Sequence, residues 1–137
     1  MISVSHAKVE NVHHLEWCTK YRFKALKREE FFKACEASLR RAAARYGIEV
    51  LELGVMSDHV HVVAVLPPDV SVSRAVGLLK GSSAYALFRL EPKFRLRYRK
   101  GHFWSRGYFA RSVSNATLDV VRAYVRYDND PRQQTLA

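Results

Sequence analysis

The apolar positions of this chain change period along its length, and each change marks an element. Val12 to Thr19 (VHHLEWCT) reads as a first strand. Over residues 28–46 the spacing turns helical. Phe31 or Phe32, Cys35, Leu39, Ala42 and Tyr46 form one stripe, and Gly47 is a natural stop after it. Ile48 to Met56 reads as a second strand. Ser57-Asp58 make a minimal turn, and His59 to Leu66 is a strongly apolar third strand, so the two form a hairpin. Pro67-Pro68 end it. Ser71 or Ser73 caps a second helix reaching about Leu90, with Val72, Val76, Leu79, Ser83 and Leu87 as its stripe. Phe94 to Arg99 alternates with period two, which predicts extended chain with its arginines on one side. Tyr108 to Val113 reads as a fourth strand. Ser114 or Asn115 caps a last helix ending near Asp128, and Pro131 opposes continuation.

The order β-α-β-β-α-β-α predicts an α+β fold, a ferredoxin-like or RRM-like antiparallel sheet with helices on one face. The opposite face stays open unless something covers it. The 137 residues suit one domain, with a loose start over 1–10 and a tail over 130–137. No apolar run reaches the roughly 20 residues that span a bilayer. No apolar stretch follows a basic start, so a signal peptide is not expected and a cytoplasmic protein is. Cys18 and Cys35 lack metal-ligand spacing and read as two buried apolar thiols.

Charge adds a partner. The chain has 23 Lys+Arg against 13 Asp+Glu, a formal +10, which favours a polyanion. From Arg89 to Arg111 eight basic residues face a single acid, Glu91, amid Phe88, Phe94, Tyr98, Phe103, Trp104, Tyr108 and Phe109. Cations neutralise phosphates, and aromatic faces stack on unpaired bases.

Two candidates for chemistry stand out. His59 and His61 point to the same side of their strand, with Cα atoms about 6.6 Å apart, and can converge on one metal ion. Asp58 is adjacent, but alternation turns it to the other face. On the last helix Tyr124 and Asp128 are four apart and share a face, so a phenol and a carboxylate project together. Tyr127 is a competing phenol. A metal beside a phosphate eases attack by such a nucleophile.

Five ordered motifs carry a family resemblance: WCTKYR (Trp17 to Arg22), VMSDHVHVV (Val55 to Val63), LLKGSSA (Leu78 to Ala84), FWSRGYF (Phe103 to Phe109) and SNATLDVVRAYV (Ser114 to Val125). Together, over roughly residues 11–129, they resemble the small single-tyrosine HUH transposases of insertion sequences. HUH denotes histidine, a large hydrophobic residue, histidine, matched here by His59-Val60-His61. The resemblance implies a nucleoid-associated homodimer that cleaves single-stranded DNA at element ends, next to hairpins, through a 5′-phosphotyrosine link, and then rejoins strands. It makes Tyr124 the nucleophile and His59 and His61 metal ligands, with Mg²⁺ or Mn²⁺ as cofactor; two imidazoles suit Mn²⁺ better. Such transposases usually carry glutamine as third ligand four residues after the tyrosine. Here Asp128 holds that position, with Asn129 as the fallback. The tyrosine helix in these proteins often docks on the partner subunit, with residues 111–115 as hinge, which leaves room for Tyr124 to act in trans. His14 matches a histidine frequent in their first strand; the residue pattern alone gives it a core or hairpin-contact role. Lys20, Arg22, Lys80, Trp104 and Arg106 are expected to contact DNA.

Two other readings use the same features. One is a non-catalytic single-stranded nucleic-acid binder on an RRM-like sheet, though HVHVVAVL lacks the exposed aromatics such a sheet displays. The other is a domesticated transposase acting on genomic repeat hairpins.

Overall fold

A computed structural model describes residues 10–128, apart from the side chain of Asp128. Four strands form one antiparallel sheet: β1 (Val12–Cys18), β2 (Glu49–Val55), β3 (His59–Val65) and β4 (Phe109–Ser112). Their spatial order is β2-β3-β1-β4, the ferredoxin-like arrangement that the sequence predicts. Helices α1 (Glu29–Arg45) and α2 (Val72–Leu90) cover one face. Gly47, at φ +73°, lies just past the end of α1, where a left-handed residue stops a helix. Ser71 caps α2, its hydroxyl accepting from the Arg74 backbone N–H at 3.1 Å.

The main core follows from the strand period. Leu15 and Trp17 of β1 meet Val60, Val62 and Ala64 of β3 under Phe31, Cys35, Leu39, Val76, Leu79 and Leu87 of the helices. Their neighbours in sequence go to the other face. There Val12, Val63, Val113 and Val125 form a second, smaller cluster. Val125 belongs to the last helical segment. It follows a short helix and lies in the π-helical turn (Tyr124–Asp128) that continues it. The face expected to stay open is therefore partly roofed by the tyrosine-bearing segment.

Three local expectations change. Phe94–Arg97 is a helical turn, α3, rather than extended chain, and the short helix before the π-helical turn is α4 (Leu118–Ala123). Helix and strand alike place Phe94 and Tyr98 on one side, so period two is ambiguous there. The helical turn seats both rings against Phe103, with centroids at 5.4 and 5.1 Å, and leaves Leu96 in solvent. Neither Ser114 nor Asn115 caps α4. A turn closed by the Thr117 N–H on the Ser114 carbonyl precedes it, and the helix begins at Leu118. Of the two cysteines, Cys35 is buried, but Cys18 is half-buried with Sγ 3.3 Å from Ser105 Oγ.

Most aromatics of the basic segment are structural. Phe88, Tyr98, Phe103 and Trp104 are buried around one another. Trp104 is 6% exposed, stands edge-on to Trp17, and donates its indole N–H to Ser83 Oγ at 3.0 Å. Removing that acceptor strands a buried donor. Ser83→Ala should lower unfolding free energy by about 1–3 kcal/mol, read as a shifted urea midpoint at unchanged slope.

Candidate metal and nucleophile site

The second sheet face gathers the polar residues. His59 and His61 share that face of β3, and their Nε2 atoms lie 3.2 Å apart. The β1 register sets Glu16 opposite His61, which leaves His14 diagonal to it. His14 Nε2 is 3.1 Å from His61 Nδ1, and the two rings stack at 5.4 Å. Glu16 Oε1 is 3.2 Å from the same Nδ1. His14, Glu16 and His61 thus offer ligand atoms within 4.8 Å of one another. His61 is 1% exposed.

Asp58 departs from the alternation expected of it. Its Oδ1 lies 2.8 Å from His59 Nδ1, because Asp58 sits in the turn before β3 and strand geometry does not govern it. Its other oxygen pairs with Arg22 Nε at 3.5 Å. The Asp58 carboxylate makes His59 Nδ1 a donor, while His61 Nδ1 lies against both His14 Nε2 and Glu16 Oε1. The two Nε2 atoms face each other at 3.2 Å. Donors about 2.1 Å from one ion sit roughly 3.0 Å apart on adjacent octahedral corners and roughly 3.4 Å apart in a tetrahedron. The observed spacing falls between these, so the pair fits a single divalent ion.

Burial, then the neighbouring His59 and His14, lowers His61 to a pKa of about 3. The Glu16 carboxylate would favour the protonated ring, but it is part-exposed and solvent weakens its pull. Burial likewise lowers His14, with Glu16 opposing and Arg111 assisting. Neutral rings are the form that ligates a metal.

Tyr124 stands over this group. Its ring is 38% exposed, 5.6 Å from the His61 centroid and 6.3 Å from that of His14, edge-on to both. One chain therefore assembles tyrosine and imidazoles from its own residues. The Asp128 side chain and Asn129 lie outside the described residues. Sequence reasoning did not place Glu16 here and gave His14 no site role on its own pattern. Only the β1–β3 register could have shown both.

Four of the five residues expected to contact DNA fall together. Lys20, Lys80, Trp104 and Arg106 line one cavity of about 500 Å³ with Tyr85, Phe88 and Arg95. Lys80 is committed to the loop it adjoins, donating to the carbonyls of Ser105 at 2.7 Å and Gly107 at 3.2 Å. Trp104 gives this cavity a buried wall rather than an exposed stacking platform. Arg22 sits apart, paired with Asp58.

A ferredoxin-like sheet thus carries a histidine pair with a part-exposed tyrosine beside it. Similarity to known proteins makes the family plain. Residues 8–128 match the family described as IS200-like transposases, and the chain belongs to it. It is 30% identical over 125 residues to the transposase for insertion sequence element IS200 of Salmonella typhimurium, covering 91% of this chain and 81% of that protein. It is 33% identical over 118 residues to the ISDra2 transposase TnpA of Deinococcus radiodurans, covering 86% and 84%. A Deinococcus radiodurans crystal structure described as a transposase superposes with a TM-score of 0.70 at 30% identity, over 90% of this chain and 93% of that one. A REP-associated tyrosine transposase bound to a REP hairpin gives 0.67 at 14% identity, over 93% and 70%, a likeness of fold. Among the described residues no helix is long and apolar enough to cross a membrane.

The lowered His61 pKa has a signed consequence. Between about 3 and the ordinary 6.5 the unfolded chain binds a proton that the folded ring refuses. The His61 contribution is therefore complete above pH 6.5 and is lost as pH falls toward 3. In metal-free protein, ring NMR should show His61 neutral at about pH 5, and His61→Gln should flatten the fall in urea midpoint below about pH 6.

Proposed function

We propose that this transposase cleaves and rejoins single-stranded DNA at the ends of its element, with Tyr124 as nucleophile. The observation that carries the reading is Tyr124 itself, accessible from solvent and edge-on to His61, whose Nε2 faces that of His59. The phenol loses its proton to water, and its oxygen attacks phosphorus. The bond from phosphorus to the 3′ oxygen breaks, that oxygen takes a proton, and a 5′-phosphotyrosine remains. A 3′-OH attacking this link reverses the step and joins strands.

His59 and His61 hold a divalent ion, Mg²⁺ or Mn²⁺, through Nε2, and Asp128 is the proposed third ligand. When bound, the ion draws charge from phosphate oxygens. Asp58 fixes the His59 ring by accepting from its Nδ1, the usual role of a carboxylate behind a ligating histidine, and His14 and Glu16 flank Nδ1 of His61. Lys20 and Arg106, on the rim of the basic cavity, hold phosphates of the strand and its hairpin, while Lys80 and Trp104 shape the cavity. Arg22 reaches the strand beside Asp58. Homodimerisation belongs to this reading through the resemblance. A purely binding role leaves the facing imidazoles and the poised tyrosine without purpose.

On an oligonucleotide carrying an element end, wild-type protein with Mn²⁺ should form a covalent adduct that resists denaturing electrophoresis. Tyr124→Phe should form none; an adduct of undiminished yield would remove Tyr124 from the reaction. Asp58→Asn should weaken Mn²⁺ binding about 10–100-fold, measured by calorimetry in the Tyr124→Phe background, while the fold is kept.

A further inference from the structure

The segment that carries Tyr124 is held against β2 by contacts its sequence does not advertise. Arg122 and Arg126 are four apart, on one side of the segment, and Tyr124 lies between them on another. Both guanidinium groups converge on one carboxylate, Glu52, whose side chain is only 11% exposed. Arg122 donates from Nε at 3.2 Å and Nη2 at 3.1 Å to Oε1. Arg126 donates from Nε to Oε2 at 3.3 Å and from Nη2 to Oε1. Burial would raise the Glu52 carboxyl, but the hydrogen bonds from Arg126 and Arg122 outweigh it and hold it below the usual carboxylate range.

The strand is shaped to receive this clamp. β2 carries a bulge between Val50 and Glu52, which leaves Leu51 out of register with β3. The Leu51 carbonyl accepts from Arg122 Nη2 at 3.3 Å. Two residues beyond Glu52, Gly54 lets the segment come close. A Cβ there would lie 3.0 Å from the Val125 carbonyl oxygen and 3.3 Å from Val125 Cγ1. Neither atom is the free end of a flexible chain. A short segment whose one buried side chain is Val125 gains little from burial alone.

We infer that Glu52 and Gly54 form a docking seat on β2 that positions Tyr124 over the imidazoles, with Glu52 gripping Arg122 and Arg126 and Gly54 admitting the Val125 backbone. Glu52 is a positioning residue, remote from the reacting atoms, and the inference rests on Tyr124 being the nucleophile. In this structure the segment and the seat belong to one chain. Both arginines are half-exposed, so the grip stays open to solvent and is screened by it.

The test separates the seat from the reaction. In protein free of DNA and metal, hydrogen exchange should rise at least tenfold over residues 120–127 in Glu52→Gln and in Gly54→Ala, with β3 unchanged. With substrate, Glu52→Gln should slow adduct formation at saturating oligonucleotide at least tenfold, with oligonucleotide affinity changed less than threefold. The charge swap Glu52→Arg with Arg126→Glu should recover most of the rate. Unchanged exchange in both single variants overturns the seat, whatever the activity. Raised exchange with a wild-type rate overturns the positioning role. Absence of adduct from the wild type counts against the nucleophile assignment and leaves the exchange result to judge the seat.

Discussion

The register of β1 against β3 decides where every polar group of the site falls. Glu16 pairs with His61 and Cys18 with His59, which leaves His14 diagonal to His61. Strand side chains alternate, so a slip of one residue would send His14 and Glu16 into the helix-side core and turn Leu15 and Trp17 outward. Burial of Leu15 and Trp17 against Val60 and Val62 forbids that slip. Fully burying side chains of this kind stabilises by about 1.5–3 kcal/mol each, far more than any surface polar contact. Apolar packing on one face thus fixes the chemistry on the other.

The site then works by contrast of environments. His61 is buried and kept neutral, with His14 and a part-exposed carboxylate against its Nδ1. His59 is oriented by Asp58, which itself reaches outward to Arg22. Among the described residues, the cations behind the formal +10 are spread over helices and loops. In water they attract a polyanion from a distance, and salt screens them. Close to the sheet the low dielectric favours neutral donors with free lone pairs. In the proposed function, long-range attraction and short-range ligation would be served by different residues.

Much of this is legible in the chain. The two helices, the hairpin, and the shared face of His59 and His61 follow from period and turn residues, and period alone gives the tyrosine-bearing last helix. What is not legible has physical reasons. Residues two and four apart fall on one side of a strand, and residues four apart also share a helix face, so the pattern from Phe94 to Tyr98 suits either geometry. Asp58 escapes the alternation rule because it precedes the strand. The placing of His14 and Glu16 depends on pairing with a strand more than 40 residues away, which no local pattern encodes. Composition marks Trp104 as a base-stacking surface, but a ring flanked by Trp17 and Phe103 with a buried acceptor for its N–H is core.

The tyrosine rides on the least self-sufficient element of the fold. Six α-helical residues and one π-helical turn are too few to hold a helix in water, and an isolated helix of that length is marginal even with strong formers. Its place is set by what it touches: the valine cluster beneath it, the Glu52 carboxylate and the Gly54 gap. The sheet, more than the helix, therefore determines where the phenol stands. That division suits the proposed reaction, in which the phenol would first meet a phosphate beside fixed imidazoles and then carry a covalently joined strand. A deeply buried helix would place the phenol as well but could not yield afterwards. A segment anchored by one buried valine and a half-exposed ionic grip can do both.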